Sequence, residues 1–131
     1  MMFLTQYIKN NRGQALVEFA LVLPVLLLLI IGSMEFGLII HKYMLVAEAA
    51  REGARSAAVG DSDAVVTSIV QAAASQIPAN QLTITISPVN RVRGSGVTVT
   101  VGTPADTITN LISPFIPSNF TVQGVATMRV E

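Results

Sequence analysis

The ionisable side chains of this sequence are few and dispersed, which limits the chemistry that they can perform. The 131 residues contain one histidine, His41, and no cysteine. Catalytic and metal sites need several converging acids, bases or ligands, and the sequence offers His41 no such group in a recognisable motif. We therefore predict that the protein is not an enzyme and that it holds no metal and no cofactor.

One carboxylate is unusual because of where it lies. Glu18 follows Gly13 by five residues inside an otherwise apolar run, and the basic residues Lys9 and Arg12 precede the glycine. A charged side chain deep in a bilayer costs on the order of a few kcal/mol, and glutamate is too short to reach the surface easily. Glu18 is therefore either a functional residue or a hydrated residue near the membrane interface.

The apolar run is long enough to cross a membrane. Residues 15–40 are interrupted by charge only at Glu18 and Glu35, and a spanning helix needs about 20 mostly apolar residues. The leader before it carries basic but no acidic side chains, which favours a cytoplasmic N-terminus and an exported C-terminal domain. A secretory signal cleaved near Gly32 and Ser33 is the alternative, but such signals have apolar cores of about 7–15 residues.

Composition agrees with a membrane-anchored chain. Hydrophobic residues make up 51% of the sequence and charged residues 12%, whereas about 25% charged residues is usual in a soluble domain. The eight basic and eight acidic residues cancel. This balance gives no indication of nucleic-acid binding, and no motif for a small-molecule substrate is present.

Small residues mark candidate helix contacts along the second half of the run and beyond it. Small side chains let another helix or a sheet approach closely. Glu35 lies between two of the glycines, where it would contact another protein group or, as we favour, simply lie at the membrane interface. The candidate contacts are Gly32, Glu35, Gly37, Ala47, Ala50, Ala54 and Ala57.

The remaining sequence predicts a small domain that follows Gly60, the expected helix stop. A second helix is expected from the cap at residues 61–63 to Ile77, before Pro78. Alternating patterns predict strands around residues 82–86, 97–101 and 120–130, with a hairpin turn at residues 93–96. Residues 104–118 form a long connection with the apolar residues Leu111, Ile112, Phe115 and Ile116, and we expect a helical turn within it that packs over the sheet edge.

The residues around Gly13 resemble the class III signal of type IV pilins and pseudopilins. The matching sequence is RGQALVEF, from Arg12 to Phe19. The resemblance implies that a prepilin peptidase cuts between Gly13 and Gln14, and that Glu18, Phe19 and Pro24 serve recognition and assembly. Pro24 should also loosen or kink the helix near Ala20, because it provides no amide hydrogen.

A second segment, MLVAEAAREGARSAA from Met44 to Ala58, is similar to the TadE-like family. This resemblance implies a pilin-like α+β fold: a long N-terminal transmembrane helix and a small domain with a second helix and a three- to four-stranded antiparallel sheet. It also implies a minor pilin of the Tad (Flp) adhesive pilus, with a prepilin peptidase, other pilin subunits, the Tad secretion machinery and inner-membrane lipid as partners. The expected location is the bacterial inner membrane or a surface pilus.

The expected organisation has three parts: a cytoplasmic leader at residues 1–13, a transmembrane and assembly helix at 14–60, and an exported domain at 61–131. Two other functions stay open. The chain resembles other type IV-like pseudopilins, of secretion systems or of archaea, in its signal. It would alternatively be an uncleaved, signal-anchored domain that binds a surface.

Overall fold

The computed structural model describes residues 11–109 and 113–131 of the chain. Most of the predicted leader therefore lies outside the described residues, as do Leu111 and Ile112. The described elements are helix α1 (Asn11–Ala58), helix α2 (Asp63–Ala73), and strands β1 (Thr83–Ser87), β2 (Gly96–Pro104) and β3 (Thr121–Arg129). The chain divides into two compact units, and the boundary falls between Met34 and Glu35.

In the first unit, α1 exposes large apolar side chains on every face. Leucine, valine and isoleucine side chains between Leu16 and Ile30 are exposed. Within the described ranges, α1 is the one helix long and apolar enough to cross a membrane. A helix that is apolar all round is suited to lipid, because lipid satisfies every face equally.

The C-terminal end of α1 follows from Gly60. This glycine adopts a positive φ of 95°, which side chains with a Cβ disfavour. The amide of Gly60 donates to the Ala57 carbonyl, and the amide of Asp61 donates to the Ser56 carbonyl. These two bonds form a Schellman motif, which satisfies carbonyls that the helix end would leave without partners. The predicted stop at Gly60 is confirmed.

Helix α2 begins as predicted but ends earlier. Ser62 is its N-cap, and the Val65 amide donates to the Ser62 hydroxyl at 3.5 Å. The helix ends at Ala73, so the predicted end at Ile77 is wrong by four residues. Pro78 disfavours the helical conformation in the residue before it, so Ile77 leaves the helix although its side chain stays buried.

The strands form an antiparallel sheet in the order β1-β2-β3, which confirms the predicted α+β class with three strands among the described residues. In the register, Ile84 faces Val101 and Val101 faces Gly124. The turn between β1 and β2 lies one residue earlier than predicted. The Ser95 amide closes it on the Val92 carbonyl, and Gly94 has a φ of 85°.

The core of the second unit lies between the sheet and the second half of α1. Alternate residues of β2 point inward, as the period of a strand requires. Helix α2 contributes Val66 and Val70, and α1 contributes mainly alanines. The fully buried apolar residues are Val46, Ala49, Ala50, Ala54, Ala57, Val66, Val70, Ala74, Val97, Val99 and Val101.

Two glycines in this unit allow the backbones to approach closely. A Cβ added to Gly124 of β3 would lie 2.5 Å from the backbone N and Cα of Ala47 in α1. A Cβ added to Gly53 of α1 would lie 2.5 Å from Cγ2 of Val70. Atoms cannot approach this closely, so Gly124, which faces backbone atoms, must be glycine, whereas a side chain at Gly53 would force Val70 to move.

We predict that Gly124→Ala lowers the free energy of unfolding by about 1–3 kcal/mol, because the α1 backbone must move to admit the methyl group. Thermal unfolding of the full chain in detergent, followed by the sheet signal, measures the change. The matched control is Gly102→Ala in β2, where the added Cβ would meet its nearest atom, Cγ of Gln123, at an ordinary 3.5 Å. Equal midpoints for the two variants would contradict this packing.

Candidate processing and assembly site

The residues of the predicted processing site lie in the first turns of α1. Gly13 and Gln14 are both within the helix, which begins at Asn11. The Gln14 side-chain amide donates to Oε1 of Glu18 at 3.1 Å, across one helical turn. The residue after the predicted cleavage site thus contacts the carboxylate that made this segment unusual in the sequence.

Gly13 has free space around its Cα. Apart from the helix backbone and the adjacent residues, no described heavy atom lies within 4 Å of the position that a Cβ would occupy. Because an alanine would fit there, packing among the described residues does not require glycine at position 13. This makes Gly13 suitable for a substitution that tests processing without disturbing the fold.

Phe19 and Pro24 lie farther along the same helix. The Phe19 ring is exposed among the other apolar side chains. Pro24 lies inside α1, and the helix continues through it without interruption. Proline has no amide hydrogen to donate to the Ala20 carbonyl, which leaves this carbonyl without its usual helical partner. The kink expected near Ala20 stays a prediction.

The candidate small-residue contacts fall into two groups. A Cβ at Gly32 or Gly37 would meet no described heavy atom within 4 Å beyond the local helix, so neither glycine is needed for packing inside the described chain. Ala50, Ala54 and Ala57 are fully buried, and Ala47 lies against Gly124. These alanines therefore pack against the sheet side of the chain's own domain. Of the two partners that small residues allow, a second helix or a sheet, the structure shows the sheet.

Glu35 binds another part of the protein, although its place in the sequence favoured a position at the membrane interface without a partner. Its side chain is only 3% exposed, and its Oε1 accepts hydrogen bonds from both the amide, at 2.7 Å, and the hydroxyl of Thr109. Its Oε2 is buried and has no hydrogen-bond partner among the described residues. Glu35 thus binds the connection between β2 and β3, 74 residues away in the sequence.

Lys42 holds the same connection two helical turns later. Its Nζ donates to the Pro104 carbonyl at 3.2 Å and lies 3.6 Å from a carboxylate oxygen of Asp106. Residues seven apart fall on the same side of an α-helix, so Glu35 and Lys42 form one polar edge on α1. The sequence pattern gave no signal for this pairing, because Thr109 and Asp106 belong to no motif.

His41 takes part in a local contact. Its Nε2 lies 3.1 Å from Oε1 of Gln76, which follows α2. Among the described residues, no group of three or more histidine, cysteine, aspartate or glutamate side chains is placed to hold a metal ion. The acidic and basic groups of the second unit instead make structural contacts, such as Arg91 with Asp63 and with the Asp61 carbonyl.

A comparison with protein families shows what this helix is similar to. Residues 13–55 match the family model described as TadE-like protein. Over these residues the chain is similar to TadE-like proteins. The match confirms the resemblance drawn from the sequence, and it begins at Gly13, the first residue of the predicted processing site. No curated protein and no solved structure matches the chain.

The family gives a general functional assignment. TadE-like proteins are structural components of the Tad pilus, so the match indicates a Tad pilus-associated component. Together with the long apolar helix, it also indicates a single-pass membrane protein. The match covers most of α1, whereas the three described strands lie outside it.

We predict that Glu35→Ala loosens the connection between β2 and β3. The amide and hydroxyl of Thr109 would lose their acceptor, and a donor left without a partner costs about 1–3 kcal/mol. Hydrogen exchange of peptides that cover residues 105–109, measured on the full chain in detergent, should accelerate. The control Glu48→Ala removes an exposed carboxylate of the same helix and should leave this exchange unchanged. Unaltered exchange in Glu35→Ala would contradict the contact.

Proposed function

We propose that the chain is a minor pilin or pseudopilin that a prepilin peptidase processes between Gly13 and Gln14 and that then takes part in assembly of a Tad (Flp) adhesive pilus. The observation that carries the proposal is the contact of Gln14 with Glu18 at the start of a membrane helix. The TadE-like match over residues 13–55 supports the choice of pilus system.

The chemistry of cleavage explains why a carboxylate is needed at this position. Cutting after Gly13 creates an α-ammonium group on Gln14, at the edge of an apolar segment. A positive charge in such a place needs a counter-charge, and Glu18 lies one helical turn away on the same face. A carboxylate near a helix N-terminus is also favoured by the helix dipole.

The same carboxylate provides a reason to assemble. Within one chain, Glu18 already accepts a hydrogen bond from Gln14 and retains further acceptor capacity. In lipid, a charged group gains by pairing with an opposite charge on a neighbouring helix. The Glu18 carboxylate of one subunit would therefore bind the α-ammonium group of the next, and the exposed Phe19 and the rest of the apolar surface would pack against that subunit.

We further propose that the chain crosses the bacterial inner membrane with its N-terminus in the cytoplasm and its C-terminal domain outside. In this arrangement residues 1–13 are the leader, 14–60 the transmembrane and assembly helix, and 61–131 the exported domain. The basic leader supports this orientation. The partners would be the prepilin peptidase, other pilin subunits and the Tad secretion machinery, and no catalytic role is proposed.

Processing distinguishes this function from an uncleaved surface-binding domain. We predict that the chain isolated from its native membrane has the mass of residues 14–131, with or without a methyl group on Gln14. Gly13→Ala should have the mass of the full chain, because prepilin peptidases act after glycine in the class III signal that this sequence resembles. Intact mass spectrometry measures both.

The matched control is Gly37→Ala, a glycine of the same helix with equally open surroundings. Since an added methyl group meets no described neighbour at either position, only a peptidase that reads residue 13 would separate the two variants. Full-length wild-type chain in cells with active prepilin peptidase would refute processing and favour the anchored domain.

The proposed ion pair between Glu18 of one subunit and the α-ammonium group of the next leads to a second prediction. Glu18→Ala should still be cut after Gly13 but should lose association with neighbouring subunits. Breaking a buried charge pair costs about 3–5 kcal/mol, which corresponds to more than a hundredfold in the binding constant. Crosslinking in native membranes, followed by recovery of the tagged chain, measures the association.

Gln14→Ala is the control for this prediction. It removes the side-chain hydrogen bond to Glu18 but keeps the α-ammonium group that cleavage creates. Association should survive in this variant if the terminal charge is the partner of Glu18. Loss in Gln14→Ala but not in Glu18→Ala would contradict the proposed pairing.

A further inference from the structure

The connection between β2 and β3 is unusually apolar for an exposed loop. No charged residue occurs between Asp106 and the start of β3 at Thr121. Ile108 is 74% exposed, and Phe115, in a single helical turn at Ser113–Phe115, is 84% exposed. The helical turn predicted for this connection is present at Ser113–Phe115, but its Phe115 side chain faces outward instead of packing over the sheet edge. Two such side chains within one uncharged connection raise the question of what surface covers them.

The contacts of this connection fix where it lies along α1. Thr109 binds Glu35 through its amide and its hydroxyl, and Asp106 pairs with Lys42. All these residues belong to the second unit. From Asp106 to Thr109 the chain therefore runs along α1 from Lys42 to Glu35, which is the direction of the apolar run.

Glu35 precedes the end of the apolar run at Ile40 by five residues, which corresponds to roughly 7 Å along the helix axis. The polar interface of a bilayer is about 5–8 Å thick on each side. A helix that leaves the hydrocarbon near Glu35 and the headgroups near Ile40 thus carries Thr109 within the interface. Ile108 is its neighbour in the chain, and Phe115 belongs to the same connection.

We propose that the connection at residues 105–109 and 113–120 inserts Ile108 and Phe115 into the interface of the membrane that α1 spans, on the side of the C-terminal domain. The occupant of this exposed apolar surface is lipid. Apolar and aromatic side chains partition into the headgroup and acyl boundary, and the absence of charge beyond Asp106 removes the main cost of insertion. Lys42 offsets the charge of Asp106 at the outer limit of the contact.

The turn between β1 and β2 provides a contrast within the same domain. Val89 is 79% exposed there, but Arg91 and Arg93 follow it closely. This part of the chain lies towards the far end of α1: the Gly94 amide binds Val130, and the adjacent Glu131 amide binds the Ala58 carbonyl. Ala58 is roughly 27 Å beyond Ile40 along the helix. Exposure alone therefore does not bring a side chain to the membrane.

Because this inference rests on the proposed membrane-spanning helix, its test must separate the two. The sequence contains no tryptophan, so each single-tryptophan variant of the full chain has one fluorescent reporter. Phe115→Trp reports on the connection, Phe36→Trp on the exposed face of α1 inside the apolar run, and Val89→Trp on the far turn. Each variant is reconstituted into phosphatidylcholine vesicles with and without bromine on the acyl chains near the glycerol, which quenches tryptophan at short range.

The proposal predicts strong quenching and a blue-shifted emission for Phe115→Trp and Phe36→Trp, with neither effect for Val89→Trp. Quenching of Phe36→Trp without quenching of Phe115→Trp would overturn the inference and leave the spanning helix intact. Blue-shifted but unquenched emission at position 115 would overturn it too, because the side chain would then be covered by protein. Equal quenching at positions 115 and 89 would contradict the position in the membrane interface that the contact of Thr109 with Glu35 gives to the connection. Absence of quenching at position 36 would refute the spanning helix and this inference with it.

Discussion

The close approach of α1 to the sheet is the constraint on which the second unit depends. Gly124 brings the backbone of β3 against Ala47, and Gly53 admits the side chain of Val70 against the helix. With backbones this close, α1 has room mainly for alanine on its inner face, and Ala50, Ala54 and Ala57 occupy it. The core is thin, so its stability comes from dispersion contacts over a closely packed surface rather than from large buried side chains.

This constraint explains why the composition of α1 changes along its length. Before Ile40 the helix exposes leucine, valine and phenylalanine, which suit a lipid environment. After Val46 it buries small residues against its own domain. Glu35 and Lys42 lie between the two stretches and bind the connection after β2. One helix thus serves as membrane segment and as core element, and the polar residues mark the change.

Local signals predicted most of the fold. Gly60 ends α1 because a positive φ is required there, Ser62 caps α2, and alternating valines form β2, as the sequence indicated. The exact end of α2 was missed: Pro78 restricts only the residue before it, and the helical pattern between Ala73 and Ile77 carries no local stop signal. Within the candidate site, the contact of Gln14 with Glu18 follows from their spacing of four. The contact of Glu35 with Thr109 does not, because nothing local in either segment indicates a partner 74 residues away. The need for glycine at position 124 was also hidden, since it arises from a helix that crosses the strand.

The proposed function requires that α1 crosses the membrane and that the folded domain lies on the outer side. The chain has no cysteine, so Val89→Cys in the exposed turn after β1 gives a single site for a membrane-impermeant maleimide. The account predicts that this cysteine is labelled in intact spheroplasts as completely as after lysis. Labelling that requires lysis would put the domain in the cytoplasm and contradict the account.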